Sequence, residues 1–301
     1  MQNTKKETLL KYLIATSLIL FVIITIIGLN QRTFITLTQL SDNGERQMMG
    51  YILKTKNNSV IVIDGGTTDD TENLINNINK NGGKVDYWFI THAHDDHAGA
   101  FTEVVNNTDI EIKNVYISLN EYSWYEENES SRADFSRKLI ETVNQGRIKE
   151  NVKSPEVNDT FKIDNLNVEI LGIRNPEITE NAGNEQSMVI KFNTEKTSLL
   201  ILGDTGEKSS EKLLNNQKDK LDSDIVQMAH HGQSGATKEL YEVITPKICL
   251  WPTPEWLWNN DAGNGYGTGP WKTLETRQWM NELNVKEHYV EKDGDITIKV
   301  K

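Results

Sequence analysis

The sequence predicts an α/β protein in which helices cover layered β-sheets. Residues 60–63 and 85–90 are runs of β-branched and aromatic residues, which are typical of buried strands. Between them, residues 72–80 carry apolar side chains at helical spacing and end before a glycine pair, so a helix connects the two strands. This order of elements favours a layered α/β sheet over an all-β domain.

Further runs along the chain repeat these two patterns. The remaining predicted strands are residues 34–37, 51–53, 115–118, 161–163, 168–171, 198–202 and 224–229. The remaining predicted helices are residues 98–105, 131–144 and 207–215. The basic side chains Arg132, Arg137 and Lys138 of the second of these helices could contact phosphates, although a solvated basic face is the more usual meaning of such a run.

Length and charge limit the possible functions. A chain of 301 residues suffices for one large domain or two small ones. The chain has 44 acidic and 32 basic residues, a net charge of −12 and a pI near 5.1. Such a surface repels polyanions as a whole, so a nucleic-acid substrate would have to be held by local basic groups or by metal ions.

The N-terminal segment predicts a membrane anchor. Residues 12–31 carry no charged side chain and are mostly apolar over about 20 residues, the length that spans a bilayer. Lys5, Lys6 and Lys11 precede this run, so residues 1–11 are expected to be a short cytoplasmic tail, residues 12–30 a single-pass transmembrane helix, and residues 31–301 an extracytoplasmic domain. A cleaved signal peptide with secretion is the alternative.

A cluster of histidines and aspartates follows the strand at residues 85–90. His92 and His94 alternate, and both can reach one divalent ion where the backbone has left the strand for a loop. Asp96 and His97 follow and point elsewhere, which suits a second ion close to the first. The alternative is a histidine-rich surface loop.

Three more predicted strands end in polar residues that could join this cluster. Asp64 follows residues 60–63, although an Asp-Gly pair is also a common turn. Asp204 follows residues 198–202, where each of its oxygens could take one cation, or where it could instead cap the helix at 207–215. His230 and His231 follow residues 224–229, and the sequence does not say which of them is the ligand.

The spacing His92-x-His94-x-Asp96-His97 resembles the HxHxDH signature of the metallo-β-lactamase superfamily. This resemblance implies a four-layer αββα sandwich over residues 31–301 and a metal-dependent hydrolase with two ions, Zn²⁺ being expected and Mn²⁺ the alternative. His92, His94 and Asp204 would hold the first ion. The second would be held by Asp96, His97, Asp204 and one of His230 or His231, while Asp64 would orient a histidine.

The chain departs from the superfamily pattern at one ligand. The superfamily usually places a third histidine for the first ion just before a later strand, but here no histidine occurs between His97 and His230. Asn184 is the nearest polar replacement. Asn184-x-x-Ser187, together with residues 202–204 and 229–232, is similar to the hydrolase domain of the bacterial competence DNA-uptake channel and its free-standing relatives.

The C-terminal segment extends this similarity. In that branch a tail motif with Asn, Tyr, Gly, His and Pro lies near the site, and residues 264–270 keep most of it, including Asn264 and Tyr266, but lack the histidine. Tyr266 could donate a proton in its place, or a metal-bound water could do so. Residues 293–298 resemble the final hairpin of that domain.

These features together predict a membrane-anchored, extracytoplasmic, metal-dependent hydrolase that uses a metal-activated water. A phosphodiesterase or nuclease-like activity on a phosphodiester or nucleic-acid substrate is expected, with Asp96, Asp204 and Tyr266 as catalytic residues. Two alternatives stay open: a β-lactam, ester or amide hydrolase of the same fold, or a non-catalytic surface binding or sensing protein with a degraded metal site. No protein partner follows from the sequence.

Overall fold

The computed structural model describes residues 2–31, 35–42, 46–144 and 146–301. In the first of these ranges the side chains are described for residues 11–25. The helices are α1 (Gln2–Gln31), α2 (Thr71–Asn81), α3 (Asp95–Asn107), α4 (Tyr122–Asn128), α5 (Ala133–Asn144), α6 (Glu207–Asn216), α7 (Lys238–Ile244), α8 (Glu255–Trp258) and α9 (Thr273–Glu282).

The strands are β1 (Ile35–Gln39), β2 (Gly50–Lys54), β3 (Val60–Asp64), β4 (Lys84–Val85), β5 (Tyr87–Ile90), β6 (Glu111–Ile112), β7 (Val115–Ile117), β8 (Val152–Lys153), β9 (Thr160–Ile163), β10 (Leu166–Gly172), β11 (Val189–Asn193), β12 (Ser198–Ile201), β13 (Ile225–Gln227), β14 (Ile248–Trp251), β15 (Glu287–Val290) and β16 (Ile296–Val300). Each strand and helix that the sequence predicts has a counterpart among these elements.

The strands form two large sheets and one small one. The first sheet has the order β16-β1-β2-β3-β5-β7-β8 and the second the order β15-β14-β13-β12-β11-β10-β9, while β4 and β6 pair separately. In the first sheet β3, β5, β7 and β8 run parallel, and in the second β12, β13, β14 and β15 do so. The parallel strands of each sheet therefore end at one edge.

Alternating side chains of the strands build three apolar layers. In β5, Phe89 lies in the core between the two sheets, whereas Trp88 and Ile90 face the helices on the outer side of the first sheet. In β12, Leu199 likewise faces the core between the sheets and Leu200 faces the helices outside the second sheet. This period of two confirms the predicted four-layer αββα sandwich.

One predicted strand is interrupted by an aspartate. Residues 85–90 divide into the end of β4 and the whole of β5, with Asp86 between them. The Asp86 carboxylate accepts a hydrogen bond from the Val60 backbone N–H at 3.0 Å and one from Lys113 Nζ at 2.8 Å. These contacts fix the start of β5 against β3, so that the loops after both strands lie side by side.

The predicted transmembrane anchor is not supported. Residues 2–31 do form one helix, α1, as the apolar run suggests. However, within the described part of the chain no helix is long and apolar enough to cross a membrane. A helix that crosses a bilayer needs about 20 apolar residues. Of the predicted span, residues 12–30, the last five side chains lie outside the described residues.

The C-terminal hairpin predicted at residues 293–298 is wrong. β15 and β16 lie in different sheets: β15 pairs with β14 in parallel, and β16 pairs with β1 in antiparallel orientation. The turn between them, which includes Asp293 and Gly294, carries the chain from the second sheet back to the first. A turn-forming pair between two strands does not reveal which partner each strand has.

This connection buries an acidic side chain next to other acids. Glu291 is fully buried, and its Oε1 accepts a hydrogen bond from the Asp42 backbone N–H at 3.1 Å. Burial raises the pKa of Glu291 well above its ordinary value, and the carboxylates of Asp42 and Asp70 raise it further. The folded protein therefore favours the protonated form of Glu291.

We predict that Glu291→Gln stabilises the protein increasingly as the pH rises from about 4.5 toward the raised pKa of Glu291 in the folded protein. The unfolded chain releases the Glu291 proton near pH 4.5, whereas the folded protein retains it to a higher pH, so the wild type loses stability as the pH rises through that interval. Urea unfolding at a series of pH values measures the effect, with the exposed Glu287→Gln on β15 as the control. A constant difference between Glu291→Gln and the wild type would contradict the prediction.

Candidate metal centre

Four loops at the carboxyl ends of parallel strands meet at one place. They follow β3, β5, β12 and β13, and they carry Asp64, the HxHxDH segment, Asp204 and the histidine pair 230–231. Because the two sheets face each other, the edges at which these strands end are adjacent. Residues that are far apart in the sequence are thereby brought together.

The HxHxDH segment spans a loop and the first turn of α3. His94 is extended (φ −101°, ψ 151°) and directly precedes the helix, whereas Asp96 and His97 lie in its first turn. The helix therefore begins at Asp95, three residues earlier than the sequence pattern predicts. This change from extended to helical backbone sends the two halves of the motif in different directions, as two separate ions would require.

The structure brings possible metal ligands together in two groups. His92, His94 and Asp204 form the first group, and Asp96, His97 and His231 form the second. Within each group, one ligand atom of every residue lies within 4.8 Å of those of the others, and all six residues are buried. All six residues are among those that the sequence predicts as ligands.

Asp204 lies between the two groups. Its Oδ2 is 3.8 Å from His92 Nε2 in the first group and 3.6 Å from His231 Nε2 in the second. Its Oδ1 is 3.2 Å from His97 Nε2. A carboxylate in this position could contribute an oxygen to each of two cations, which is the bridging role that the sequence predicts.

The unpaired polar atoms of the site test whether divalent ions fit it. His92 Nε2, His97 Nε2, His231 Nε2, Asp96 Oδ1 and both Asp204 oxygens are buried without a hydrogen-bond partner. Buried polar atoms are rarely left unpaired, because their desolvation is then uncompensated. Imidazole nitrogens and carboxylate oxygens that converge in this way are suitable ligands for divalent metal ions.

Local charge at the site also favours a cation. Burial would raise the pKa of Asp204, but the imidazoles of His97 and His231 outweigh it and hold that pKa well below its ordinary value. Burial would lower the pKa of His97, yet the carboxylates of Asp204 and Asp64 hold it well above its ordinary value. The fold thus stabilises positive charge between two buried carboxylates.

Asp64 lies within hydrogen-bond distance of His97, in the position from which the family resemblance implies that it orients a histidine. Its Oδ2 lies 2.7 Å from His97 Nδ1, which leaves His97 Nε2 facing Asp204. The Thr91 backbone N–H and hydroxyl each donate to Asp64, both at 2.7 Å. Asp64 has a left-handed backbone (φ 52°), an uncommon conformation for aspartate that turns its carboxylate toward these donors.

The structure distinguishes between the two adjacent histidines. His231 is fully buried, its Nδ1 lies 2.8 Å from the Pro252 carbonyl, and its Nε2 is 3.3 Å from Asp96 Oδ2. His230 belongs to neither ligand group. Its Nε2 lies 3.3 Å from Asn184 Nδ2, and its Nδ1 lies 3.1 Å from the Ser234 carbonyl. His231 is therefore the possible ligand, and His230 forms part of the wall beside Asn184.

Ser187 and Asn184 have different surroundings. The Ser187 hydroxyl accepts a hydrogen bond from the Asp204 backbone N–H at 2.9 Å and lies 3.4 Å from His92 Nδ1. Gly203 is left-handed (φ 57°), and a Cβ there would come within 2.9 Å of that hydroxyl. Asn184 Oδ1 is buried without a hydrogen-bond partner, so its amide oxygen is available at the site.

Tyr266 and Asn264 lie in the loop between α8 and α9. Tyr266 is 66% exposed, and Asn264 is also exposed. The hydrogen bonds described for this loop lie within it, such as the Gly265 N–H to Asp261 Oδ1 at 2.8 Å, or join it to α8 and α9, such as the Asp261 N–H to the Trp256 carbonyl at 2.8 Å. The predicted roles of Tyr266 and Asn264 are not tested by these contacts and stay predictions.

Two side chains near the ligands were not identified from the sequence. Gln47 Nε2 donates to Asp96 Oδ2 at 2.9 Å, and Glu129 Oε1 lies 2.7 Å from His94 Nε2. Gln47 follows residues 43–45, which are outside the described chain, and Glu129 lies in an acidic stretch that resembles an ordinary solvated surface. Neither Gln47 nor Glu129 lies in a sequence motif that indicates a contact with a metal ligand.

The fold and the two ligand groups together define a metal-binding α/β protein whose site lies at the ends of parallel strands. Comparison with known protein families agrees with this description of the fold and the site. The chain belongs to the metallo-beta-lactamase superfamily, whose family model matches residues 45–248. The coarse functional prediction, a metal-dependent hydrolase of this superfamily, is supported.

Solved structures share this fold. The chain is similar to YhfI, a metallo-beta-lactamase fold protein from Bacillus subtilis, with a TM-score of 0.54 and 10% identity over 89% of this chain and 100% of that one. It is also similar to Igni18, a metallo hydrolase from the archaeon Ignicoccus hospitalis, with a TM-score of 0.50 and 13% identity over 88% and 100% of the two chains.

A third similar structure is CmlA, a diiron β-hydroxylase from Streptomyces venezuelae, with a TM-score of 0.52 and 10% identity over 87% of this chain and 54% of that one. At these identities the similarity concerns the fold alone. No curated protein matches the chain in sequence. The similarity to the competence branch therefore stays a prediction.

We predict that His231→Ala weakens binding of one of two divalent ions, whereas His230→Ala leaves both bound. His231 Nε2 faces Asp96 and Asp204, but His230 lies outside both ligand groups. Titration with Zn²⁺ against a competing chelator, followed by elemental analysis, measures affinity and stoichiometry. Equal losses of Zn²⁺ affinity in the two variants would show that His230 and His231 do not differ in metal binding as their positions suggest.

Proposed function

We propose that this protein is a phosphodiester hydrolase that uses two divalent metal ions. Membership of the superfamily and the two ligand groups support metal-dependent hydrolysis. The phosphodiester part of the proposal is carried by one observation: a pair of arginines lies at the rim of the ligand groups. This rim offers positive charge beside the metal centre of an otherwise acidic protein.

The two arginines are held by one carboxylate. Arg132 Nη1 lies 3.0 Å from Asp95 Oδ1 and 3.6 Å from Asp96 Oδ1, and Arg46 Nη2 lies 2.6 Å from Asp95 Oδ2. The Arg132 and Arg46 side chains are 38% and 57% exposed. Each guanidinium has five N–H donors, so donors remain for the oxygens of a phosphate.

The other basic side chains near Arg132 have different partners. Arg137 pairs with Asp134 on the same helix, and its guanidinium lies over the Tyr122 ring at 5.2 Å. Lys138 Nζ lies 2.7 Å from Glu103 Oε1. Of the three basic residues that the sequence offers for phosphate contact, Arg132 is therefore the one beside the metal centre.

The ligand chemistry suits zinc. Four of the six grouped residues are histidines and two are aspartates, and the chain's single cysteine, Cys249, is buried in a separate apolar layer. Imidazole nitrogens suit Zn²⁺, whereas carboxylates also accept Mn²⁺. We propose Zn²⁺ as the ion at both positions, with Mn²⁺ as the alternative.

The chain's own residues would position the substrate and the ions. Bound divalent ions in such a pair lower the pKa of water toward neutrality and neutralise charge that develops on phosphate oxygens. Asp204 would hold both ions together, and Asp64 would keep His97 in the tautomer that leaves Nε2 free. Arg132 would bind a phosphate oxygen, and Asn184 and His230 would line the wall beside His231.

Two of the rival functions, hydrolysis of a neutral ester or amide and a non-catalytic role, are less well supported by the same contacts. A neutral ester or amide makes no use of two arginines at the rim. A degraded, non-catalytic site would follow from the missing third histidine, but His92, His94 and Asp204 still form a group of three possible ligands. The role of Tyr266 as proton donor and the extracytoplasmic location both stay predictions.

We predict that the metal-loaded protein hydrolyses a bis-aryl phosphate or single-stranded DNA faster than a chromogenic β-lactam. Asp96→Ala should abolish this turnover, because it removes a ligand of the second group. Parallel assays of the three substrates with Zn²⁺ or Mn²⁺ measure the ranking. Turnover of the β-lactam alone, or activity that survives in Asp96→Ala, would contradict the proposal.

We predict that Arg132→Ala lowers kcat/KM for a phosphodiester by about 10-fold or more, since a hydrogen bond to a charged group contributes about 1.5–3 kcal/mol. The loss should appear mainly in KM, and turnover of an uncharged aryl ester, where detectable, should change little. Arg137→Ala is the matched control, because Arg137 pairs with Asp134 away from the site. Equal effects of the two substitutions would show that Arg132 does not bind the phosphodiester.

A further inference from the structure

Glu129 contacts a histidine of the first ligand group. Its Oε1 lies 2.7 Å from His94 Nε2, and the His94 and Glu129 side chains are 5% and 14% exposed. The backbone of Glu129 is fixed on both sides: its N–H donates to the Tyr125 carbonyl at 2.9 Å, and its carbonyl accepts from the Arg132 N–H at 3.0 Å. The carboxylate is therefore held against His94 by ordered structure.

This contact determines which nitrogen of His94 is free. A neutral imidazole has one donor nitrogen and one acceptor nitrogen. Because the carboxylate accepts the proton on Nε2, the lone pair is left on Nδ1. Carboxylates that bind the second nitrogen of a ligand histidine in this way fix the tautomer and the ring orientation.

Gly183 supplies the space that this contact needs. A Cβ at Gly183 would overlap His94 Nε2 and both carboxylate oxygens of Glu129. The backbone of Gly183 is ordinary (φ −65°, ψ −42°), so alanine would be accepted there on conformational grounds. The glycine is thus required by space rather than by backbone conformation, and a larger residue at this position would displace both His94 and Glu129.

We propose that Glu129 is a positioning residue that orients His94 toward the first metal ion, and that the absence of a side chain at Gly183 leaves room for the Glu129–His94 contact. This inference rests on the proposed binding of metal ions at the two groups. Glu129 Oε2 is buried without a hydrogen-bond partner, so the hydrogen bond described for this carboxylate is the one to His94. Gly183 directly precedes Asn184, which stands where the family resemblance places a third histidine. The contact between Glu129 and His94 therefore supports the first ligand group, which lacks that histidine.

The experiment measures metal binding by the full chain without any substrate. Co²⁺ is titrated against a competing chelator, the visible d–d bands report coordination, and elemental analysis gives the number of ions bound. Glu129→Ala should weaken the affinity for one ion by about 10- to 100-fold and alter its bands. Glu129→Gln keeps an acceptor oxygen for His94 Nε2 and should lose much less affinity.

Gly183→Ala should weaken the same ion as Glu129→Ala does, because both remove the contact. The double variant Glu129→Ala/Gly183→Ala should bind no more weakly than Gly183→Ala alone, because the methyl group at position 183 already displaces the contact that Glu129→Ala removes. Glu127→Ala removes an exposed glutamate two residues earlier, in the last turn of α4; it is the matched control and should bind like the wild type. Circular dichroism and thermal melts confirm that each variant is folded.

Wild-type affinity in folded Glu129→Ala would overturn the inference. A loss in Glu129→Gln as large as in Glu129→Ala would overturn the orienting hydrogen bond and indicate that the negative charge itself is required. Additive losses of metal affinity in the double variant would show that Gly183 affects metal binding independently of the Glu129–His94 contact. If the wild type binds no ion, the proposed function and this inference both fail; if ions bind as expected but no phosphodiester is hydrolysed, the proposed function alone fails.

Discussion

The buried carboxylate of Asp204 is the group on which the rest of the site depends. Both of its oxygens are shielded from water without a hydrogen-bond partner, and they face His92, His97 and His231. Burying such a charge is costly unless opposite charge or a metal ion compensates it. The fold meets this requirement by bringing loops from two sheets to the same edge, so that several imidazoles surround one carboxylate.

The backbone around this site is strained where the ligands are aimed. Asp64, His230 and His231 have left-handed conformations (φ 52°, 51° and 55°), each of which costs about 1–3 kcal/mol in a non-glycine residue. Hydrogen bonds compensate: Thr91 donates twice to Asp64, and the Thr253 hydroxyl donates to the His231 carbonyl at 2.7 Å. Such strain persists because the surrounding structure holds these residues in directions that relaxed loops would not take.

Local charge and total charge have opposite signs at this site. The chain carries a net charge of −12, which disfavours anionic substrates over most of its surface. Arg46 and Arg132 nevertheless flank Asp95 beside the ligand groups. Charges within a few ångströms of a partly buried site are screened less than distant surface charges, so under the proposed function these two arginines would influence phosphate binding more than the total charge does.

Much of the fold could be predicted because alternation of side chains is a local property. The apolar periods of β3, β5 and β12 and the helical spacing of α2 depend on residues that are close in sequence. The elements that were missed or misplaced depend on distant partners. β16 pairs with β1 rather than with β15, and α3 begins inside the histidine motif because the first ligands must leave the strand before the helix starts.

The site divides in the same way. The sequence by itself determined the ligand types, since His92, His94, Asp96, His97 and Asp204 stand in a short motif or at a strand end, and it revealed the missing third histidine. Only the tertiary structure decided that His231 rather than His230 faces Asp96, that Arg132 reaches the rim, and that Glu129 contacts His94 beside Gly183. The physical reason is that these contacts join residues from 35 to 135 positions apart, and their existence depends on how two sheets and their loops pack rather than on any neighbouring pattern.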